Sequence, residues 1–399
     1  MNEVTEHPRI ESAKWHELTL LKINLVSILA QIVQIGTIAP LMSLTLNKQG
    51  VDEVAIGLIV SAPWVAIILI YRFVPMLLNR MGLISANLIS IFITTTAFIV
   101  MAYVDNLYIL FVLNFSVGIG LILRWIACDT WIVSVASQQE RGRAIGMHET
   151  LMGFGIALGP LLLAATGIEG PLPFFVSAAL VGISVFPLLT LRKKNIHPGI
   201  PSNKSDLEIF LHIPTAFLGA FIAGFVETSA ISFLPLYSLN IGYVVVTATL
   251  IAFCYGAGGT ILQLPLGWLA DRTSYRRAQY FAVSIVFCGA LAIPYAMNVS
   301  WLIWLVVFLW GGAVGGLNTL AVIEAGERIP VQKITLAMTA IAMCYTLGSI
   351  IGPIITGASI KYFSPHGLLL TSAVACIIFA LVAIAREVKI AKVVEKIPD

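Results

Sequence analysis

Ionisable side chains are rare in this sequence, and the few that interrupt long apolar stretches are the first candidates for a functional site. Glu227, in AGFVETSAISFLP, lies near the middle of one such stretch and is the most central carboxylate of the chain. A charged group at such depth is costly and usually serves a function. We predict that Glu227 binds and releases a proton. A structural Glu that is permanently protonated or hydrogen-bonded is the alternative.

Arg124, in LILRWIACDTW, is the second ionisable residue inside an apolar stretch. Its guanidinium group could bind an anionic group of a ligand or neutralise a carboxylate, and both roles stay open. Asp129 is five residues away, so the two side chains do not share a helix face well. Glu149, in the next apolar stretch, is the better partner.

Two glutamines and several aromatic residues are further candidates for binding a small molecule. Gln31 and Gln34 are three residues apart and therefore share one face of a helix. They could bond a ligand or pack against a neighbouring helix. Aromatic side chains in apolar stretches are mostly packed, so only a minority should contact a ligand. The candidates are Trp64, Trp125, Trp131, Tyr255 and Tyr345.

Catalytic and metal-binding patterns are missing from the sequence. There is no P-loop pattern GxxxxGK[ST], which argues against ATP hydrolysis by this chain. The five cysteines lie in apolar stretches without a CxxC pair, so they are expected to be buried small hydrophobes. Of the six histidines, only His148, beside Glu149, is near a candidate site. We expect no enzyme activity, no catalytic residue, no metal and no cofactor.

The composition places the chain in a lipid bilayer. Of its 399 residues, 59% are hydrophobic and 11% are charged, and the mean hydropathy is +0.96. Soluble domains carry about 25% charged residues. The net charge of +3 is too small to indicate binding to nucleic acid. We therefore predict an integral, multi-pass membrane protein, and we expect a monomer.

Twelve apolar stretches are long enough to cross a membrane, which takes about 20 residues. Their continuous apolar character predicts helices rather than the alternating strands of a β-barrel. The predicted spans are residues 19–45, 54–78, 83–103, 107–134, 145–166, 172–191, 213–239, 244–269, 278–297, 300–325, 335–359 and 367–386. The fold class is therefore all-α. Residues 192–212, which are polar and contain Pro and Gly, are predicted to link residues 1–191 to residues 213–399.

The basic residues of the loops predict the orientation. If residue 1 lies in the cytoplasm, 18 of the 23 Lys and Arg residues fall on the cytoplasmic side, and only Lys48 and Lys361 fall on the other. Loops that stay in the cytoplasm are rich in Lys and Arg. Both termini and the linker are therefore predicted to be cytoplasmic.

The two halves of the chain repeat each other. PMLLNRMG, which begins at Pro75, aligns with GWLADRTS, which begins at Gly267, and GFGIALGP, from Gly153, aligns with TLGSIIGP, from Thr346. Chance matches are a poor explanation because several fall at nearly one offset. Two pseudo-symmetric bundles of six helices joined by a linker form a transporter architecture, with the substrate path between the halves.

These motifs resemble those of the major facilitator superfamily over about residues 15–390. GWLADRTSYRR is similar to the family's loop between helices eight and nine, whereas the copy between helices two and three has Pro75 for Gly and Asn79 for Asp. ERGRAIG, from Glu140, resembles the loop between helices four and five. GIALGP, from Gly155, resembles the helix-five motif associated with antiporters, although the family's following Gly-Gly is replaced by Leu163 and Ala164.

The resemblance implies roles for the loop and glycine motifs. Asp271 and Arg272 are predicted to form a latch that holds the two bundles together on the cytoplasmic side, with Arg143, Arg276 or Arg277 as partners for the acid. A solvated helix end is the alternative. The first copy, Asn79 and Arg80, lacks the acid and should form the weaker latch. Helix packing is predicted for Gly155, Gly159, Pro160, Gly348, Gly352 and Pro353.

Three functions agree with these features. The first is a secondary transporter that exports a small organic molecule in exchange for protons, as the helix-five motif and the central acid favour. The second is a proton-linked importer of the same fold. The third is a membrane receptor or scaffold that transports nothing. We expect the inner membrane of a bacterium as the location. The sequence does not identify the substrate.

Overall fold

The computed structural model describes residues 7–136, 141–191, 196–197 and 213–394. Of the predicted linker 192–212, all residues except 196 and 197 lie outside the described residues, so the domain boundary there stays a prediction.

Within the part of the chain that the structure describes, twelve helices are long and apolar enough to cross a membrane, as predicted. In chain order they are α1 (Leu18–Lys48), α2 (Glu53–Met81), α3 (Leu83–Met101), α4 (Leu107–Val135), α5 (Arg143–Thr166), α6 (Leu172–Leu189), α7 (Pro214–Asn240), α8 (Val245–Arg272), α9 (Tyr275–Ala296), α10 (Leu302–Arg328), α11 (Leu336–Tyr362) and α12 (Gly367–Arg386). Predicted and observed bounds agree to within three residues for every span.

Polar side chains fix the starts of three helices. Asp52 and Asn106 each accept hydrogen bonds from two backbone N–H groups in the first turn of α2 and α4. Ser274 accepts one from Arg277 at the start of α9. Such N-cap residues satisfy donors that a helix leaves unpaired. They set the short turns between consecutive spans.

The helices form two bundles, α1–α6 and α7–α12, which meet along three helix pairs. Helix α2 packs along α11, α5 packs along α8, and α1 packs against α7. Apolar side chains such as Phe92 and Leu264 are exposed on the outside of the bundles. An apolar outer surface is what lipid contact requires, because the backbone polar groups are paired within the helices.

The repeated glycines have the same role in both halves. A Cβ atom at Gly155 would press against the backbone of α1 at Ile28, and one at Gly348 would overlap the backbone of α7 at Phe221. Gly159 and Gly352 make similarly close approaches to α1 and α7. Glycine therefore lets α5 lie on α1 and α11 lie on α7 at backbone contact. Pro160 and Pro353 stand inside these helices, one residue after the glycines.

Helix α1 changes its winding near its middle. An α-helix ends at Gln31, a π-helix runs over Ile32–Thr37, and an α-helix resumes at Ile38. The hydroxyl group of Thr37 donates a hydrogen bond of 2.7 Å to the carbonyl oxygen of Ile32. A π-helix contains one more residue per hydrogen-bonded turn, and it is often found at functional sites.

Candidate functional site

A cavity of about 550 Å³ lies between the two bundles. It runs from Glu227, near the middle of α7, to the end of the molecule where α6 finishes and α7 begins, which we call the linker end. Trp64, Trp125 and Glu149 line it from the first bundle. Tyr345 lines it from the second. The repeated architecture thus places the cavity on the axis between the halves, as the sequence predicted.

Glu227 is placed where the two bundles meet. The hydroxyl group of Tyr345, on α11, donates a hydrogen bond of 3.0 Å to Oε2 of Glu227. The ring of Tyr345 also meets the ring of Trp64, on α2, edge-on with 5.8 Å between the ring centroids. A single side chain therefore contacts both the central carboxylate and the opposite bundle.

Arg124 is held by the two glutamines of α1. Its Nη2 atom donates a hydrogen bond of 2.6 Å to Gln31, and its Nε atom donates one of 2.9 Å to Gln34. The Nε2 atom of Gln34 in turn donates a bond of 2.8 Å to Thr94. The π-helix of α1 begins between these two glutamines. Sequence spacing predicted their shared face but gave no signal for Arg124 as the partner.

The position of Arg124 behind the cavity wall bears on its predicted role in binding a ligand. Gln31 lines the cavity, whereas Arg124 is buried and is absent from the described lining residues. Asp129 and Glu149 do line the cavity and interact electrostatically with Arg124. In the described part of the chain, neither forms an ion pair with it. Gln31 therefore stands between the guanidinium group of Arg124 and the cavity, and a role of Arg124 in binding stays a prediction.

A second polar cluster adjoins the same wall. The Nδ1 atom of the buried His148 lies 2.7 Å from Oδ1 of Asn24. Its Nε2 atom lies 3.3 Å from Oδ1 of Asp129. His148, on α5, thus connects Asp129 to Asn24 of α1. The sequence had indicated this histidine only by its position beside Glu149.

The end of the molecule opposite the linker end is closed. Asp52, before α2, lies 3.3 Å from Nζ of Lys361, near the end of α11. A Cβ atom at Gly357 would overlap the backbone of Glu53, and one at Gly57 would overlap that of Pro353. The bundles are therefore in backbone contact at this end, and the cavity extends only toward the linker end.

The predicted latch residues lie at the linker end and are not engaged in this state. Asp271 is exposed and forms no ion pair within the described ranges, and the guanidinium group of Arg272 lies over the ring of Trp268 at 4.1 Å. Arg80 and Arg143 are also exposed. The carbonyl oxygen of Asn79 lies 2.9 Å from Nδ1 of His197. The latch stays a prediction.

Glu324 is the centre of a network whose partners the sequence did not reveal. This fully buried carboxylate of α10 accepts hydrogen bonds from Thr215 on α7, Gln279 on α9 and Arg386 on α12. Arg328 approaches it at 3.3 Å from the next turn. The spacing of four residues between Glu324 and Arg328 was the one available signal. The network joins four helices of the second bundle at the linker end.

Known proteins resemble this chain over most of its length. The chain is 26% identical over 347 residues to the MFS-type transporter YfkF of Bacillus subtilis (strain 168), covering 84% of this chain and 86% of the relative. It is 26% identical over 278 residues to the MFS-type transporter YcaD of Escherichia coli (strain SE11), covering 67% and 70%.

Solved structures share the fold. The nucleoside transporter NupG superposes with a TM-score of 0.74 at 16% identity, covering 92% of this chain and 98% of NupG. A bacterial homologue of the human lysosomal transporter Spinster, in an inward-facing and unoccupied conformation, gives 0.73 at 16% identity, covering 93% and 96%.

The family model described as the Major Facilitator Superfamily matches residues 25–344 and 216–398. Together with the twelve helices, the repeated halves and the cavity between them, this match identifies the chain as a member of the Major Facilitator Superfamily and thus as a membrane transporter.

Proposed function

We propose that this transporter exports a small organic molecule in exchange for protons, by alternating access of the cavity to the two sides of the membrane. The observation that carries the proposal is the position of Glu227. It lies at the inner end of the cavity, and its hydrogen-bond donor Tyr345 also contacts Trp64 of the opposite bundle.

Protonation of Glu227 changes what its oxygen atoms can do. The ionised carboxylate accepts the hydrogen bond from Tyr345, whereas the protonated group carries a donor of its own. A change in the Glu227–Tyr345 bond is passed to Trp64 through the ring contact between the bundles. A proton can therefore favour one arrangement of the bundles over the other, as the coupling of two states by a ligand requires.

Two features support export as the direction of transport. The excess of Lys and Arg in the loops predicts that the linker end is cytoplasmic, and the cavity extends toward that end. Substrate would then enter from the cytoplasm in the state described here. The resemblance of GIALGP to the antiporter motif favours export as well.

The test uses the full chain, purified and reconstituted in liposomes with an imposed pH gradient. Candidate organic compounds are added, and proton movement is followed with a pH-sensitive dye inside the vesicles. We expect compound-dependent proton flux in the direction opposite to compound flux. Glu227→Gln, which keeps the shape of the side chain but cannot ionise, should abolish that flux.

Glu169→Gln is the matched control, because this exposed carboxylate pairs with Lys48 outside the cavity. Flux of compound and protons in the same direction would show import. Gradient-driven flux in Glu227→Gln equal to that of the unmodified chain would refute the proton role. If no compound moves in a broad screen, the transport proposal itself fails.

A further inference from the structure

The charges that face the cavity are all acidic. Asp129, Glu149 and Glu227 line it, and its described lining residues include no Lys, Arg or His. The guanidinium group of Arg124 has its Nε and Nη2 atoms bonded to Gln31 and Gln34 and lies behind these two residues as seen from the cavity. The electrostatic potential of the cavity therefore favours positive charge.

Aromatic rings stand beside the innermost of these carboxylates. Trp64, Tyr255 and Tyr345 line the cavity together with Glu227. Tyr345 bonds to the carboxylate, and Tyr255 interacts with it electrostatically. The negative faces of aromatic rings attract cations, and ammonium groups are commonly recognised by several rings together.

The same wall holds polar atoms that lack a partner. Among the described residues, the hydroxyl group of Tyr255 has no hydrogen-bond partner although the residue is 3% exposed. The hydroxyl group of Thr228, adjacent to Glu227 and 4% exposed, also lacks one, but it lines a smaller pocket beside this cavity. Buried polar groups are normally paired, so unpaired ones facing a cavity indicate a missing ligand or water.

We propose that the substrate is an organic cation whose charged nitrogen binds beside Glu227 among the rings of Trp64, Tyr255 and Tyr345. This inference rests on the proposed transport function and specifies its substrate class. Asp129 and Glu149 draw the cation in from the linker end. The volume of about 550 Å³ lies within the range of about 300–1,000 Å³ typical of small-molecule sites.

Binding of the cation beside Glu227 would explain how the cation is exchanged for a proton. One carboxylate cannot bind a proton and pair fully with a cation at once, so each displaces the other. The titratable groups that face Glu227 are Tyr345 on α11 and Tyr255 on α8, while Asp129 and Glu149 line the cavity further toward the linker end. Among the first three, Glu227 is the only carboxylate, so it is the group that can exchange a proton for the cation.

The test measures equilibrium binding of radiolabelled benzyltrimethylammonium to the purified full chain in detergent, at several pH values. Its competitors are the neutral carbon isostere neopentylbenzene and the anion phenylacetate. We expect saturable binding that protons weaken, and at least about tenfold weaker competition by the isostere and the anion. Phenylacetate competing better than unlabelled benzyltrimethylammonium would overturn the proposal.

Variants locate the site. Glu227→Gln should weaken binding of the cation at least about tenfold, Trp64→Leu by about three- to tenfold, and Trp64→Tyr by less because the ring is kept. Glu169→Gln should bind as the unmodified chain does. Unchanged binding in both Glu227→Gln and Trp64→Leu would overturn the assignment. Folding of each variant is checked by size-exclusion chromatography.

A vesicle experiment separates this inference from the proposed function. Binding that requires Glu227, without any flux of benzyltrimethylammonium in liposomes under a pH gradient, would support the cation site and refute transport of this probe. Proton-coupled flux of neutral or anionic compounds, with no binding of the cation, would support transport and overturn the cation site.

Discussion

The hydroxyl group of Tyr345 donates a hydrogen bond of 3.0 Å to Glu227, while the ring of Tyr345 meets Trp64 at 5.8 Å between centroids. Glu227 and Tyr345 belong to one bundle and Trp64 belongs to the other. The protonation state of one carboxylate is thereby connected to the contact between the bundles. A variant of Tyr345 can distinguish the role of the hydroxyl group from that of the ring.

Tyr345→Phe removes the hydrogen bond and keeps the ring against Trp64. A hydrogen bond to a charged group contributes about 1.5–3 kcal/mol, so proton-coupled exchange should slow by about tenfold or more. The measurement is the exchange rate in liposomes over a series of pH values. Tyr362→Phe, at an exposed tyrosine near the end of α11, serves as control. An exchange rate equal to that of the control would contradict the coupling role of the hydroxyl group.

Arg124→Met should lower stability as well as binding, because it leaves the oxygen atoms of Gln31 and Gln34 buried and unpaired. Each such loss costs about 1–3 kcal/mol. Thermal unfolding of the purified variant measures the first effect. Adding Gln31→Leu and Gln34→Leu to the same chain should recover part of the stability. If Arg124→Met weakens ligand binding without lowering the unfolding temperature, Arg124 contacts the ligand directly.

Gly159→Ala should force α5 away from α1, because its Cβ atom would overlap the backbone of Gly36. Overpacking of this kind costs about 1–3 kcal/mol. Gly182→Ala, whose Cβ atom would meet no atom within 4 Å, is the control. The unfolding temperature of the first variant should fall by several degrees, while that of the control should stay unchanged or rise. Equal values would show that α1 and α5 can separate freely.

Lys361→Met removes the ion pair with Asp52 at the closed end and leaves the N-cap bonds of Asp52 intact. Both side chains are partly exposed, so the pair contributes at most about 1 kcal/mol and the open population should rise by about fivefold at most. A cysteine at Ser43, in a chain without its native cysteines, reports opening through its labelling rate. A rate that Lys361→Met does not change would show that backbone packing alone closes this end.

Lowering the pH should increase opening of the closed end, as Lys361→Met does. Partial burial of Asp52 opposes ionisation, but the backbone N–H of Ala55 and the ammonium group of Lys361 outweigh it and lower the pKa of Asp52. A lowered pKa means that the ion pair is complete at neutral pH and is lost as the pH falls below about 4. The labelling rate at Ser43→Cys should therefore rise only in acid, and the rise should be smaller in Lys361→Met.

Asp271→Asn tests the latch. The acid is exposed and unpaired with respect to the described residues, so the variant should unfold at the same temperature as the unmodified chain. If the latch forms only when the linker end closes, exchange should nevertheless slow severalfold. Glu327→Gln, at an exposed acid near the end of α10, is the control. Exchange at the unmodified rate in Asp271→Asn would rule out an essential latch.

The fold could be predicted from the sequence because the apolar spans and the repeated motifs are strong signals. Each span is a long apolar run, which lipid permits only as a helix, and repeated motifs such as that at Gly155 and Gly348 mark equivalent positions in the two halves. The close approaches of these glycines to α1 and α7 follow directly from their lack of a side chain. Spacing also placed Gln31 and Gln34 on one face.

The contacts between distant helices did not follow from the sequence. The partners of Arg124 lie on α1, about 90 residues away in the chain, so spacing within α4 gives no signal for them. The pair Asp52–Lys361 joins the residue before α2 to the last turn of α11 in the opposite bundle, so no spacing within one helix predicts it. The bonds that Glu324 accepts from Thr215 and Arg386 come from helices far away in the chain.

Because of the π-helix over Ile32–Thr37, the shape of the cavity depends on the number of residues in α1 as well as on their types. Deletion of one residue there would restore regular α-helix and rotate the preceding part of α1 by about 100° relative to the following part. Gln31, which precedes the π-helix and lines the cavity, would then be rotated relative to the part of α1 that follows it. Loss of a single codon would thus change the wall of the cavity through the backbone of α1, without any substitution of a lining residue.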